Sequence, residues 1–223
     1  MAKSSASPQS QQRLRVFDAY RGRGRRTNDL WLVYSVKTDR DWILSSNRQL
    51  VHWLVFLETA PSVKSFDFSP TERETSDDVT VAVVLANGSK ERHLVIADRA
   101  EVLKDVNSEA NDRQSEGFRI YSDIDLRPQV QLAMRWMKAI AFAAALRDKE
   151  HMPLRLALLP LLRSMECGLI GQLVEELSGF ENSLVVGMLV RLAIEGHVKI
   201  DLLPFGFCSA TPWAWQESHH VDA

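Results

Sequence analysis

The feature that most constrains this chain is the tetrapeptide Ala86-Asn87-Gly88-Ser89, set between the run Val79-Thr80-Val81-Ala82-Val83-Val84-Leu85 and the run Arg92-His93-Leu94-Val95-Ile96-Ala97. A tight hairpin turn needs backbone in the left-handed region, and Gly and Asn enter that region at least cost. The two runs therefore read as neighbouring antiparallel strands. On the N-terminal side Val63-Lys64-Ser65-Phe66-Asp67-Phe68 alternates apolar and polar residues as a half-buried strand does, and Phe118-Arg119-Ile120-Tyr121 reads as another short strand.

Helices surround this sheet. Leu30 to Val36 is a strand or a buried lead-in, after which Ser45-Ser46-Asn47 supplies capping side chains for an apolar helix, Leu50 to Leu57. That helix stops at Thr59-Ala60-Pro61, because proline cannot continue it and restricts the residue before. An acidic loop spans Glu72 to Asp78, a helix and loop are expected between Asp98 and Gly117, and a long helix runs from Gln129 to Arg147. Further on, helical patterns at Leu154 to Arg163, Leu169 to Leu177 and Leu184 to Glu195 precede Gly196 and the strand-like His197 to Leu202. Three short helices and then a β-hairpin, turning near Leu203 to Gly206, make a winged helix-turn-helix. The expected division is a flexible basic arm (1–28), an α/β domain with a mixed sheet (29–150) and a winged-helix domain (151–223).

With 45% hydrophobic and 25% charged residues in 223, the chain has material for one large domain or two small ones. No stretch approaches the 18 apolar residues of a membrane span, and the first residues lack the apolar run of a signal peptide. A cytoplasmic protein without membrane contact is expected. Cys167 and Cys208 lack the spacing of a zinc site and read as buried thiols. Charge is uneven under a net −2. Residues 1–30 carry Lys3, Arg13, Arg15, Arg21, Arg23, Arg25 and Arg26 against Asp18 and Asp29, whereas from His151 onward four basic residues face eight acidic ones. A basic arm on an acidic body points to DNA phosphates or to a solvated tail, and the sequence leaves both open.

Two stretches carry a family resemblance. Val51 to Phe66, an apolar helix running into a proline turn and a strand, and Gly117-Phe118-Arg119-Ile120-Tyr121-Ser122-Asp123-Ile124-Asp125-Leu126-Arg127, a strand and turn leading into a long helix, resemble segments of the TnsA-like endonuclease subunits of heteromeric transposases. With the winged helix in third place, the resemblance covers roughly residues 28 to 212. It implies a restriction-endonuclease-like core of the PD-(D/E)XK type, DNA cleavage at the ends of a mobile element, and a partner transposase or integrase.

The implied chemistry needs carboxylates around Mg²⁺ and a lysine beside the attacking water. Aligned on the family, the helix glutamate falls at Leu50, the Pro-Asp pair at Val81-Ala82, and the acidic-x-Lys at Ile96-Ala97-Asp98. Leu50, Ala82 and Ile96 cannot bind a metal, so the expectation is a nuclease-inactive pseudoenzyme with no metal ligands. Asp98 is the one catalytic candidate at the expected positions. The alternatives are an active Mg²⁺ endonuclease whose acids have moved among Glu58, Asp67, Asp77, Asp78, Glu91 and Asp98, and a winged-helix DNA-binding regulator. His52 reads as a core or interface histidine, and His93 has no partner at metal spacing. The third C-terminal helix offers only Arg191 to base edges, so that domain suits protein contact. Trp213 and Trp215 are then either partner-binding anchors or packing for the terminal segment. A homo-oligomer stays open.

Overall fold

The computed structural model describes residues 30–68, 79–97, 117–147 and 151–216. Its first element is a hairpin. Strand β1 (Trp31–Ser35) pairs antiparallel with β2 (Arg40–Leu44), Trp31 opposite Leu44 and Ser35 opposite Arg40. The sequence reading missed β2, because its polar start hides the alternation that buries Trp42 and Leu44. Helix α1 (Asn47–His52) begins at Ser46, whose hydroxyl accepts from the Gln49 amide, as the capping residues led one to expect. It then widens into a π-helical stretch, Trp53–Glu58, instead of continuing as one α-helix to Leu57. Donors from outside meet its last carbonyls: Thr59 Oγ1 donates to Leu54 O at 2.7 Å and Lys37 Nζ to Leu57 O at 2.9 Å.

The central sheet has the order β3 (Val63–Asp67), β4 (Val79–Leu85), β5 (Lys90–Val95), β6 (Gly117–Tyr121). The first three strands form an antiparallel meander and β6 lies parallel to β5. The turn is the one the Asn-Gly pair encodes: Gly88 sits at φ +83°, and the Asn87 side chain accepts from the Ser89 amide and hydroxyl. Alternation puts Phe66, Val81, Val83 and Val95 on the inner face, in one core with Leu54 and Leu57. Helix α2 (Asp123–Leu126) starts with a capping box in which Asp125 accepts from the Ser122 amide and hydroxyl, and a 3₁₀ turn (Arg127–Gln129) then leads into α3 (Val130–Ala144).

Beyond residue 150 come α4 (Met152–Met165), β7 (Cys167–Leu169), α5 (Ile170–Glu176), α6 (Asn182–Ile194), β8 (Val198–Ile200) and β9 (Pro212–Trp215), with the three strands antiparallel in the order β7-β9-β8. Strand β7, three residues long, gave no sequence signal. The fold is thus mixed α/β, and among the described residues no helix is long and apolar enough to cross a membrane.

One hydrophobic core runs through both segments. Helix α3 lies directly on α6 at Gly187, where an added Cβ would come within 2.6 Å of Phe142 O. Arg191 Nε donates to Ala143 O at 3.1 Å, so the one basic residue of α6 is spent on this junction. Cys167 and Cys208 correct the expectation of buried thiols: both are exposed, one on the edge strand β7 and one in the β8–β9 loop, where neither side chain faces the core.

Candidate functional site

The inner face of β5 holds an unusual succession. Glu91, His93 and Val95 share it, and the parallel register sets Gly117, Arg119 and Tyr121 of β6 beside them. Helix α1 lays His52 across this row. His52 Nε2 lies 3.1 Å from His93 Nδ1, His93 Nε2 lies 3.2 Å from Glu91 Oε2, and Arg119 Nη2 donates to Glu91 Oε1 at 2.8 Å. The rings of Phe56 and Tyr121 close over the pair, with the His52 and Tyr121 centroids 4.7 Å apart.

The chain of bonds sets the tautomers. An ionised carboxylate only accepts, so His93 carries its proton on Nε2 and presents a bare Nδ1. His52 must then donate from Nε2, which leaves its Nδ1 a lone-pair acceptor, buried and without a partner among the described residues. Burial lowers the pKa of both histidines, His52 well below the ordinary value, with the charge of His93 a further cause. Burial also pushes the Glu91 carboxyl upward, but hydrogen bonds and charge from Arg119 and His93 outweigh it and hold Glu91 below the ordinary carboxylate range. At neutral pH the row is one cation, one anion and two neutral imidazoles. Glu91 takes a hydrogen bond on each oxygen, and among the described residues no three of His, Cys, Asp or Glu gather where an ion could sit.

Of the residues singled out from sequence, Glu91, His52 and His93 meet here and the others do not. Leu50 is a core side chain, and Ile96 is buried with its amide bonded to Tyr121 O. Ala82 pairs with Arg92 and faces the other way, exposed, while its neighbours Val81 and Val83 point inward. Asp98, Asp77 and Asp78 lie outside the described residues, as do Arg13, Arg15, Arg21, Arg23, Arg25 and Arg26. Glu58 is fully buried at the end of the π-helical stretch, accepting from Ser35 Oγ and Val36 N, each at 2.6 Å, so it fastens the β1–β2 turn. Asp67 pairs with Ala82 at the far edge of the sheet.

Trp213 is 2% exposed and packs in the core, so it presents nothing to a partner. Trp215 is half-buried, stacked on His197 with Arg163 5.4 Å from its ring centre. The sequence reading missed the His52–His93 contact. A period-two reading of β5 carries one clue, since it puts the charged Glu91 on the face of buried Val95, where a carboxylate requires partners. No family model matches the chain, and no curated protein matches its sequence.

Proposed function

We propose that this chain is a TnsA-like, nuclease-inactive subunit of a mobile-element DNA transposition or recombination complex, working through contacts with a partner transposase or integrase and, through residues 1–28, with DNA. The observation that carries this reading is the row on β5. The order helix, three-stranded meander, parallel fourth strand and long helix supports a restriction-endonuclease-like reading, in which carboxylates presented by the central sheet would hold the metal. Here the inner face of β5 offers one carboxylate, Glu91, with a hydrogen bond already on each oxygen, from Arg119 and from His93. The three helices and small antiparallel sheet that follow support the winged-helix reading. Burial of α6, with Arg191 bonded to Ala143 O, speaks against its use as a base-reading helix and so against a DNA-binding regulator.

The test is a cleavage assay on supercoiled DNA, with Mg²⁺ or Mn²⁺, with and without the product of the neighbouring gene. The full-length protein alone should not nick, and the complete reaction should survive Glu91→Ala. Metal-dependent nicking abolished by Glu91→Ala would establish the active-endonuclease alternative instead.

A further inference from the structure

The segment between β8 and β9 is a loop built to hold still. Arg135 on α3 donates from Nη1 to Leu202 O at 2.8 Å and Leu203 O at 2.6 Å, and Lys138, one turn along, donates to Phe207 O at 3.0 Å. Within the loop Asp201 accepts from the Leu203 amide, Thr211 Oγ1 donates to Gly206 O, and Gly206, at φ +70°, donates its amide to Leu202 O. What this bracing presents to water is apolar: Leu203 is 67% exposed and Phe205 65%. Fixing two large apolar side chains in solvent is unfavourable for the chain alone, and it is the preorganisation that lowers the entropy cost of binding.

The helix to which the loop is strapped continues the same surface. Val130 and Met134, one turn apart on α3, are exposed, and helical periodicity puts Met134 on one stripe with Arg127 and Lys138, bordered by Arg135. Neither α3 nor residues 202–212 contain an acidic side chain, and Asp201 is turned onto the loop backbone. The acids before Arg127 are engaged, Asp123 with Arg48 and Asp125 with Ser122, so among the described residues an apolar centre with a cationic margin is complementary to a helix with one apolar face and acidic flanks. We propose that the α3 surface and the braced β8–β9 loop together dock an acidic amphipathic helical segment of a partner protein. Phe205 and Leu203 are its anchors and Arg127 and Lys138 its charge contacts. This surface stands independently of the transposition reading, which the cleavage assay tests alone.

The experiment titrates full-length protein into a fluorescein-labelled synthetic helix-forming peptide with leucine on one face and glutamate on the other, followed by anisotropy. Its composition-matched scramble, a lysine-for-glutamate version, duplex DNA and anionic phosphatidylserine vesicles are the parallel arms. The expected result is saturable binding of the acidic helix alone. Phe205→Ala should weaken it by about tenfold, the size of one interface anchor, and Arg127→Glu should weaken it and remove its salt dependence. Leu156→Ala, which trims an equally exposed leucine on α4, should leave it unchanged. Equal binding of the scramble, insensitivity to Phe205→Ala, no binding of the acidic helix, or binding of DNA or vesicles in its place would each overturn the proposal.

Discussion

His52 on α1 and His93 on β5, 41 positions apart in the chain, meet with Nε2 3.1 Å from Nδ1. The bond needs a neutral His93, since a proton on His93 Nδ1 would set donor against donor, whereas a proton on His52 Nδ1 leaves the Nε2 donor in place. Glu91 and Arg119 face His93 from β5 and β6, and Tyr121 lies against both rings, its hydroxyl pKa raised by burial.

Stability should therefore fall on the acid side of neutrality. Both folded pKa values lie below the ordinary 6.5, so between those values and 6.5 the unfolded chain binds protons that the folded one refuses. The contribution is complete above pH 6.5 and fades as pH falls below it, by up to about 1.4 kcal/mol per pH unit for each histidine. Denaturant midpoints taken from about pH 7.5 down to about pH 5.5 should decline. The pair His52→Phe, His93→Gln should lower stability at the top of that range and flatten the decline. Glu58, whose pKa burial raises, works in the opposite sense, and the double variant isolates the histidine part.

Glu58 should be the most costly acidic residue to remove. Its carboxylate is fully buried and receives Ser35 Oγ and Val36 N, while nearby Lys37 is brought down to about 8 by burial, against the pull of Glu58. Glu58→Ala strands those donors and leaves Lys37 without its countercharge, at a cost of about 3 kcal/mol or more. Equilibrium denaturation measures this, and a loss no greater than that for the exposed Glu176, at the end of α5, would contradict the assigned role.

Gly187→Ala should separate α3 from α6. The new Cβ would meet Phe142 O at 2.6 Å, and backbone cannot rotate aside as a side chain can. A loss of about 1–3 kcal/mol is expected. Gly179→Ala, with no atom within 4 Å of the added Cβ, is the control and should be neutral. Thermal unfolding of the two variants in parallel decides it.

If Arg13, Arg15, Arg21, Arg23, Arg25 and Arg26 bind phosphates, deleting residues 1–28 should weaken DNA binding irrespective of sequence. The log–log salt slope should drop by about 0.9 for each phosphate that the arm neutralises. Titrations at several salt concentrations read the slope directly, and an unchanged slope would make the arm a solubilising tail.

The features legible in the order of residues are local. The Asn87-Gly88 turn, the Ser46 cap, the Pro61 stop and the period-two run of β4 each follow from conformational preferences within a few residues, and each stands in the structure where it was expected. The order of helices after residue 150 was legible for the same reason. Long-range packing fixed the rest. Strands β2 and β7 exist because a neighbour pairs with them, since the polar start of β2 hides its alternation and the three residues of β7 carry too little pattern alone. The pleat that sends Ala82 outward and Glu91 inward depends on register, where a slip of one residue exchanges the faces of a strand. The row from Arg119 to His52, the burial of Trp213 and the seating of α3 on α6 join residues far apart in sequence. Such contacts depend on the packing of the whole core, which no short window of sequence contains.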